Sequence, residues 1–160
     1  ASDIQQVEIS NYGNSIGARL SMWRSAWLIF TDNPLLGIGP ARFDKKFAEM
    51  ISAGDVPKTE IFNQPHNDIL NAASTGGVLK LLAYLLLMFG PFVFFYKKYQ
   101  ANKNDLDKRM LPIMGMQVVV GFFLTGLTNS NFDLQIYSTT YAVLVCVLAQ
   151  LILFEQRRTA

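Results

Sequence analysis

Apolar positions crowd into the second half of this chain. Residues 1 to 65 mix hydrophobic and polar side chains, and three long apolar stretches follow them. The first covers Leu81 to Tyr96, sixteen residues without a charge, and reaches back through Val78 and Leu79 past Lys80. The second covers Met110 to Leu127, eighteen residues with Gln117 and Thr125 as polar members. The third covers Leu134 to Phe154, twenty-one residues interrupted by Gln135, Gln150 and a few hydroxyls. A helix that crosses a bilayer needs about 20 apolar residues, with a range of roughly 17–25. The second and third stretches satisfy this directly. The first does so when the aliphatic stem of Lys80 carries its ammonium to the interface. The pattern predicts an all-α, polytopic membrane fold with spans at residues 78–97, 110–127 and 134–154, rather than three core helices of a soluble bundle. Gly90-Pro91 and Pro112 fall inside these spans, where neighbouring helices absorb the freed backbone groups.

The polar half carries shorter elements. Ile16, Leu20, Trp23, Trp27 and Phe30 recur at spacings of four, three, four and three, the period of one helical face, so residues 15 to 30 read as an amphipathic helix. Arg19 and Arg24 lie off the centre of that stripe, which is expected to rest on the membrane surface. Asn14 or Ser15 is suited to cap its start. Asp32-Asn33-Pro34 ends it, because proline disfavours helical geometry in the residue before it. PLLGIGPARF, residues 34 to 43, then reads as a tight turn, Phe43 to Ile51 as a second helix, and residues 52 to 65 as a loop. A further helix is expected just after Pro65, carrying His66, Asn67 and Asp68 toward the first span, with Gly76-Gly77 offering close backbone packing.

Charge orients these pieces. Residues 97 to 109 hold five Lys/Arg and the chain ends near Arg157-Arg158, whereas Thr128 to Asp133 hold none. Basic loops stay cytoplasmic. Residues 98–109 and 155–160 are therefore expected inside, and residues 1–77 and 128–133 outside, which in a bacterium means the periplasm. Chemistry on that side lacks ATP and nucleotide sugars and must use pre-activated, membrane-delivered substrates.

Composition narrows the classes. Charged residues make up 16% and hydrophobic ones 51%, against about 25% charged in an ordinary soluble domain. Disorder is excluded by the hydrophobicity, and a net charge of +2 gives no nucleic-acid footprint. With one cysteine, Cys146, and one histidine, the chain offers neither a disulfide framework nor a protein-only zinc centre. It opens on Ala1 without a basic-then-apolar leader, so residues 1–160 are expected to be the C-terminal portion of a longer chain.

Few side chains here suit chemistry. His66 can take and return a proton near neutral pH, and its plainer reading is an interfacial or capping histidine. Arg19, Arg24 and Arg42 offer planar forks of donors matched to phosphate oxygens, or else solvate a periplasmic face. Lys80 is an intramembrane cation that also reads as a snorkelling side chain. Asp68 and Asp133 read as orienting carboxylates or as ordinary helix-end and loop acids. Cys146, in mid-span, reads as packing.

Three segments taken together, NSIGARLSMW (14–23), PLLGIGPARF (34–43) and PHNDILNAASTGGVLKLLAYL (65–85), resemble the O-antigen ligase family. That superfamily also holds O-antigen polymerases and protein O-oligosaccharyltransferases. The resemblance covers the C-terminal part of the family's architecture, and Lys80 departs from the small residue it implies at that position. It implies a GT-C-like integral-membrane glycosyltransferase of the bacterial inner membrane, working without metal or cofactor and inverting the anomeric carbon. The implied donor is an undecaprenyl-diphosphate-linked glycan and the acceptor a lipid A–core sugar. His66 falls on the family's catalytic histidine and Arg19 on a donor-diphosphate arginine, with Arg24 and Arg42 as further diphosphate candidates. Asn67 and Asp68 become candidates for orienting the acceptor or the imidazole. The short tail after the last span favours a ligase over a polymerase or a protein oligosaccharyltransferase. A non-enzymatic transporter would instead line its path with polar residues, for which only Lys80, Gln117, Gln135 and Gln150 are available.

Overall fold

The computed structural model describes residues 15–159. Their regular structure is helical: α1 (Ser15–Asp32), α2 (Phe43–Ala53), α3 (Asp68–Ala101), α4 (Leu106–Gly126), a 3-10 turn (Asn131–Asp133) and α5 (Gln135–Thr159). Three of these helices, α3, α4 and α5, are long and apolar enough to cross a membrane, and no more than 22% of any of their apolar windows is buried inside the protein. Helices of a soluble core would hide those faces, and these leave them for lipid. The described chain packs as two compact units, one comprising residues up to Leu82 with Leu127–Ser130, the other Ala83–Gly126 with Asn131 onward.

In the first unit, α1 and α2 build a small core. Met22, Ala26 and Ile29 of α1 meet Phe43, Phe47 and Met50 of α2, with Val56 from the following loop. α2 stops at Gly54, whose left-handed φ of 83° lets its N–H turn back to Ile51. The inward face of α1 is a second stripe, beside the apolar one read from the sequence. Gly17, Ala18, Ser21, Met22, Ser25, Ala26 and Ile29 face inward, whereas Ile16, Leu20 and Trp27 are exposed and Trp23 and Phe30 half-buried. Small residues allow a close backbone approach, and helix packing selected that stripe over the bulkier one. Asn14, proposed as a cap, lies outside the described residues.

α3 is broken where its two glycines meet. Gly77 takes φ 63° and ψ −159°, far from helical values. An intact helix would send the Val78 and Leu79 N–H groups to the Ser74 and Thr75 carbonyls. Instead the PLLGIGP turn supplies the partners. Ile38 N–H donates to Ser74 O at 3.0 Å, Gly39 N–H to Thr75 O at 2.9 Å, and the freed Val78 N–H reaches Pro34 O at 2.7 Å. A Cβ on Gly77 would lie 2.3 Å from the Leu35 carbonyl carbon, and one on Gly37 (φ +61°) would lie 2.5 Å from Gly76 N. Neither position has space or conformation for a side chain. The helix itself starts at Asp68, later than expected, so His66 and Asn67 precede it.

In the second unit, Pro91 has no N–H to offer the Leu87 carbonyl one turn earlier. The hydroxyl of Tyr141 donates to that carbonyl at 2.8 Å, and Tyr141 is almost fully buried. Gly115 receives the Phe95 ring, which a Cβ there would overlap at 2.5 Å. The basic connection is shorter than expected. Only residues 102–105 leave the helices, and the rest of the 98–109 segment forms the adjoining ends of α3 and α4. Asp105 caps α4 by accepting from the Lys108 N–H at 3.2 Å. Likewise α5 runs on through Arg157 and Arg158, so the 155–160 tail is helical as far as it is described. Helical hydrogen bonding continues past the apolar stretch in each case, because charged residues such as Lys and Arg are good helix formers.

Candidate functional site

His66 lies in the first unit, on a loop fastened to α1 and between Phe62 and Asn129. It is half-buried and has a positive φ of 49°, a conformation sparsely occupied by non-glycine residues. The residue before it is tied to α1, whose Trp23 indole N–H donates to the Pro65 carbonyl at 3.0 Å. Ser21, two residues earlier on α1, donates to the Pro57 carbonyl at 3.2 Å, so the loop from α2 is fastened near both ends. The Phe62 ring meets the imidazole edge-on, with centroids 6.0 Å apart. Asn129 Oδ1 faces His66 Nδ1 at 3.4 Å, a long contact. An amide oxygen accepts only, so this pairing goes with a proton on Nδ1 and leaves the Nε2 lone pair as the basic site.

Asn67 locks this arrangement. Its Oδ1 accepts from the Leu70 N–H at 3.0 Å, an N-cap for α3, and its Nδ2 donates to the Leu127 carbonyl at 3.0 Å. Its own N–H donates to Ser130 Oγ at 3.2 Å. The side chain is thus spent on the cap and on the 127–130 loop, and it reaches the imidazole indirectly, through the loop that carries Asn129. Asp68 is buried in the first turn of α3, where a carboxylate suits the positive end of the helix dipole.

The arginines are spread over two elements. Arg19 and Arg24 are exposed on α1, and Arg42 is exposed at the start of α2. Arg19 lies one turn before Trp23, so the two share a face with Cβ atoms roughly 5–6 Å apart. That face is the one fastened to Pro65, next to His66. The Arg42 guanidinium lies over the PLLGIGP turn, its Cζ 4.0 Å from where a Cβ on Gly39 would sit. Lys80 folds back along α3 over Gly76, where a Cβ would meet its stem at 2.3 Å, and its Nζ donates to Thr75 Oγ1 at 2.9 Å. Its ammonium therefore points toward the helix start, as a snorkelling side chain does. Asp133 and Cys146 are exposed in the second unit.

Among the described residues no three His, Cys, Asp or Glu side chains converge as metal ligands. A concavity of about 530 Å³ runs along α5 between Gln135 and Leu144 and contains none of the candidate acid–base or diphosphate-binding residues. Chemically, the site offers a hydrogen-bonded imidazole on a loop tied, through Trp23, to the face of α1 that carries Arg19. Asn129 and Ser130 were not singled out from sequence, and Trp23 was read only as a member of the apolar stripe, without its bond to Pro65. The available signal was the uncharged polar run Thr128-Asn129-Ser130 between two apolar stretches, which only the fold brings 63 residues back to His66.

The chain is similar to an uncharacterized protein of Haemophilus influenzae, 26% identical over 126 residues, which are 77% of this chain and 31% of that protein. It thus spans about a third of its relative's length. The model of the family described as O-antigen ligase matches residues 2–85, a segment that contains α1, the PLLGIGP turn, His66 and the break in α3. Since that match takes in more than half of the 160 residues, the chain belongs to the O-antigen ligase family.

Proposed function

We propose that this chain carries the catalytic part of a ligase that moves O-antigen polysaccharide from undecaprenyl diphosphate to lipid A–core, on the periplasmic side of the bacterial inner membrane. Its family is enzymatic, and support for the site comes from the Trp23–Pro65 tether, which joins the Arg19 face of α1 to the loop holding His66. His66 Nε2 takes the proton of the acceptor hydroxyl as that oxygen attacks the anomeric carbon. The bond from that carbon to the diphosphate oxygen breaks on the opposite face, so configuration inverts. The electron pair leaves on the diphosphate, where Arg19 neutralises the growing charge from a fixed position, with Arg24 and Arg42 as additional donors. Asn129 holds the imidazole with Nδ1 protonated, and no metal takes part in this scheme.

The test is transfer from a defined undecaprenyl-diphosphate-linked glycan by the full-length enzyme in proteoliposomes, offered lipid A–core, a second lipid-linked glycan or a pilin-type protein. Glycan on lipid A–core is the expected product. His66→Ala should lower turnover about 10²–10⁴-fold, the usual worth of a general base, and Arg19→Ala should abolish transfer with insertion intact. Near-wild-type turnover by His66→Ala would refute the base assignment, and product on either other acceptor would make the protein a polymerase or an oligosaccharyltransferase.

A further inference from the structure

The surface of the first unit carries large apolar side chains that its own core does not use. On α1, Ile16, Leu20 and Trp27 are 69%, 50% and 56% exposed, and in the adjoining turn Leu35 and Leu36 are 67% and 70% exposed. Ile16, Leu20 and Trp27 fall within about 40° of one another around the helix at 3.6 residues per turn. Arg19 and Arg24 flank this stripe, and no acidic residue occurs from Ser15 to Thr31.

The depth of the Leu35-Leu36 turn is set by backbone bonds. Pro34, Ile38 and Gly39 are hydrogen-bonded to Val78, Ser74 and Thr75, where the apolar stretch of α3 begins. Leu35 lies against Gly77, just before Leu79 and Leu82, which are themselves exposed on the span. The turn therefore continues the lipid-facing surface of a helix that crosses the membrane. α1 ends at Asp32, two residues before Pro34, so its Trp27 end is delivered close to that boundary.

We propose that the outward stripe of α1 and the Leu35-Leu36 turn form an interfacial anchor, lying in the headgroup–acyl boundary of the leaflet where α3 begins its crossing. A helix with an apolar face and a tryptophan, and with no acidic residue before its last position, Asp32, suits that layer, with the indole at headgroup level. The anchor holds the Trp23 and Arg19 face at one fixed height above the bilayer.

The test uses the full chain in nanodiscs containing phosphatidylglycerol. The chain has two tryptophans, so the difference between wild type and Trp27→Phe isolates the Trp27 emission. Lipids brominated near the glycerol end should quench it about twofold more than lipids brominated at the chain ends, since an interfacial helix sits roughly 5–10 Å deep. In a Cys146→Ser background, Leu36→Cys should react with a membrane-impermeant maleimide on the order of tenfold more slowly than exposed Lys58→Cys, as expected for a group at that depth. Iodide quenching of Trp27 equal to that of a free indole, or equal labelling rates at residues 36 and 58, overturns the proposal. So does protection traced by Leu36→Cys disulfide formation to a second copy of the chain.

Discussion

The Trp23 indole donates a 3.0 Å hydrogen bond to the carbonyl of Pro65, forty-two residues away and directly before His66. One side chain of α1 thereby sets the position of the loop on which the proposed base sits. Removing the donor while keeping the ring isolates that bond. Trp23→Phe should destabilise the protein by about 1 kcal/mol, the usual net worth of a hydrogen bond, as read by thermal unfolding in detergent.

Asn129 offers a companion test on the other side of the imidazole. As a positioning residue it should act on turnover rather than on donor binding. Asn129→Ala is expected to lower kcat about tenfold while leaving KM for the lipid-linked donor near its original value. A rise in KM with unchanged kcat would instead make Asn129 part of the donor site.

The glycines divide sharply by what surrounds them. Gly77→Ala and Gly37→Ala each place a Cβ within 2.6 Å of backbone at a positive φ. Their destabilisation should exceed the ~1 kcal/mol of an ordinary unfavourable glycine replacement, because neither the PLLGIGP turn nor α3 can retreat without losing the three shared hydrogen bonds. Gly121→Ala meets open space and should be neutral or stabilising by roughly 0.5–1 kcal/mol. Unfolding temperatures of the three variants, measured in one detergent, check the ranking.

Tyr141 and Pro91 form a compensating pair through the Leu87 carbonyl. Tyr141→Phe strips that carbonyl of its donor and should cost about 1–2 kcal/mol. Adding Pro91→Ala returns a backbone N–H one turn along α3, so the double variant should recover most of the loss. A double-mutant cycle with no coupling between the two sites would show that the carbonyl finds another partner.

The cap at Asp105 predicts a pH dependence at the connection between α3 and α4. The Lys108 backbone N–H, the first cause, together with the Lys108 ammonium, holds the Asp105 carboxyl below its ordinary 3.8. A lowered folded value means that the cap's stabilisation is fully present above 3.8 and is lost as pH falls through the lower folded value. Amide exchange at Lys108 should accelerate in that acid window. Asp105→Asn, which keeps a capping oxygen without the titration, should flatten the response.

Much of this fold is legible in the chain, and the reason is local. A bilayer demands unbroken apolar runs, so Leu81–Tyr96, Met110–Leu127 and Leu134–Phe154 mark the spans before any packing is known. Pro34 and Gly54 likewise punctuate α1 and α2, because proline and glycine constrain the backbone where they stand. His66 and Arg19 were visible as the chain's lone imidazole and as a guanidinium beside a tryptophan-bearing stripe. Helical period alone, however, showed only the bulky stripe of α1, and the small-residue stripe that packs inward became visible with its partner helix.

Three membrane-length helices, the turns between the shorter ones and the small set of side chains suited to acid–base or phosphate chemistry follow from the order of residues alone. That Gly77 breaks α3, that Pro34, Ile38 and Gly39 satisfy the groups so freed, and that Asn129 faces His66 emerged with the packed chain. The difference is physical. Burial period, chain stiffness and span length are written in neighbouring residues, whereas the hydrogen-bond partner of a freed carbonyl or of an imidazole is whichever distant group the packed chain brings within reach.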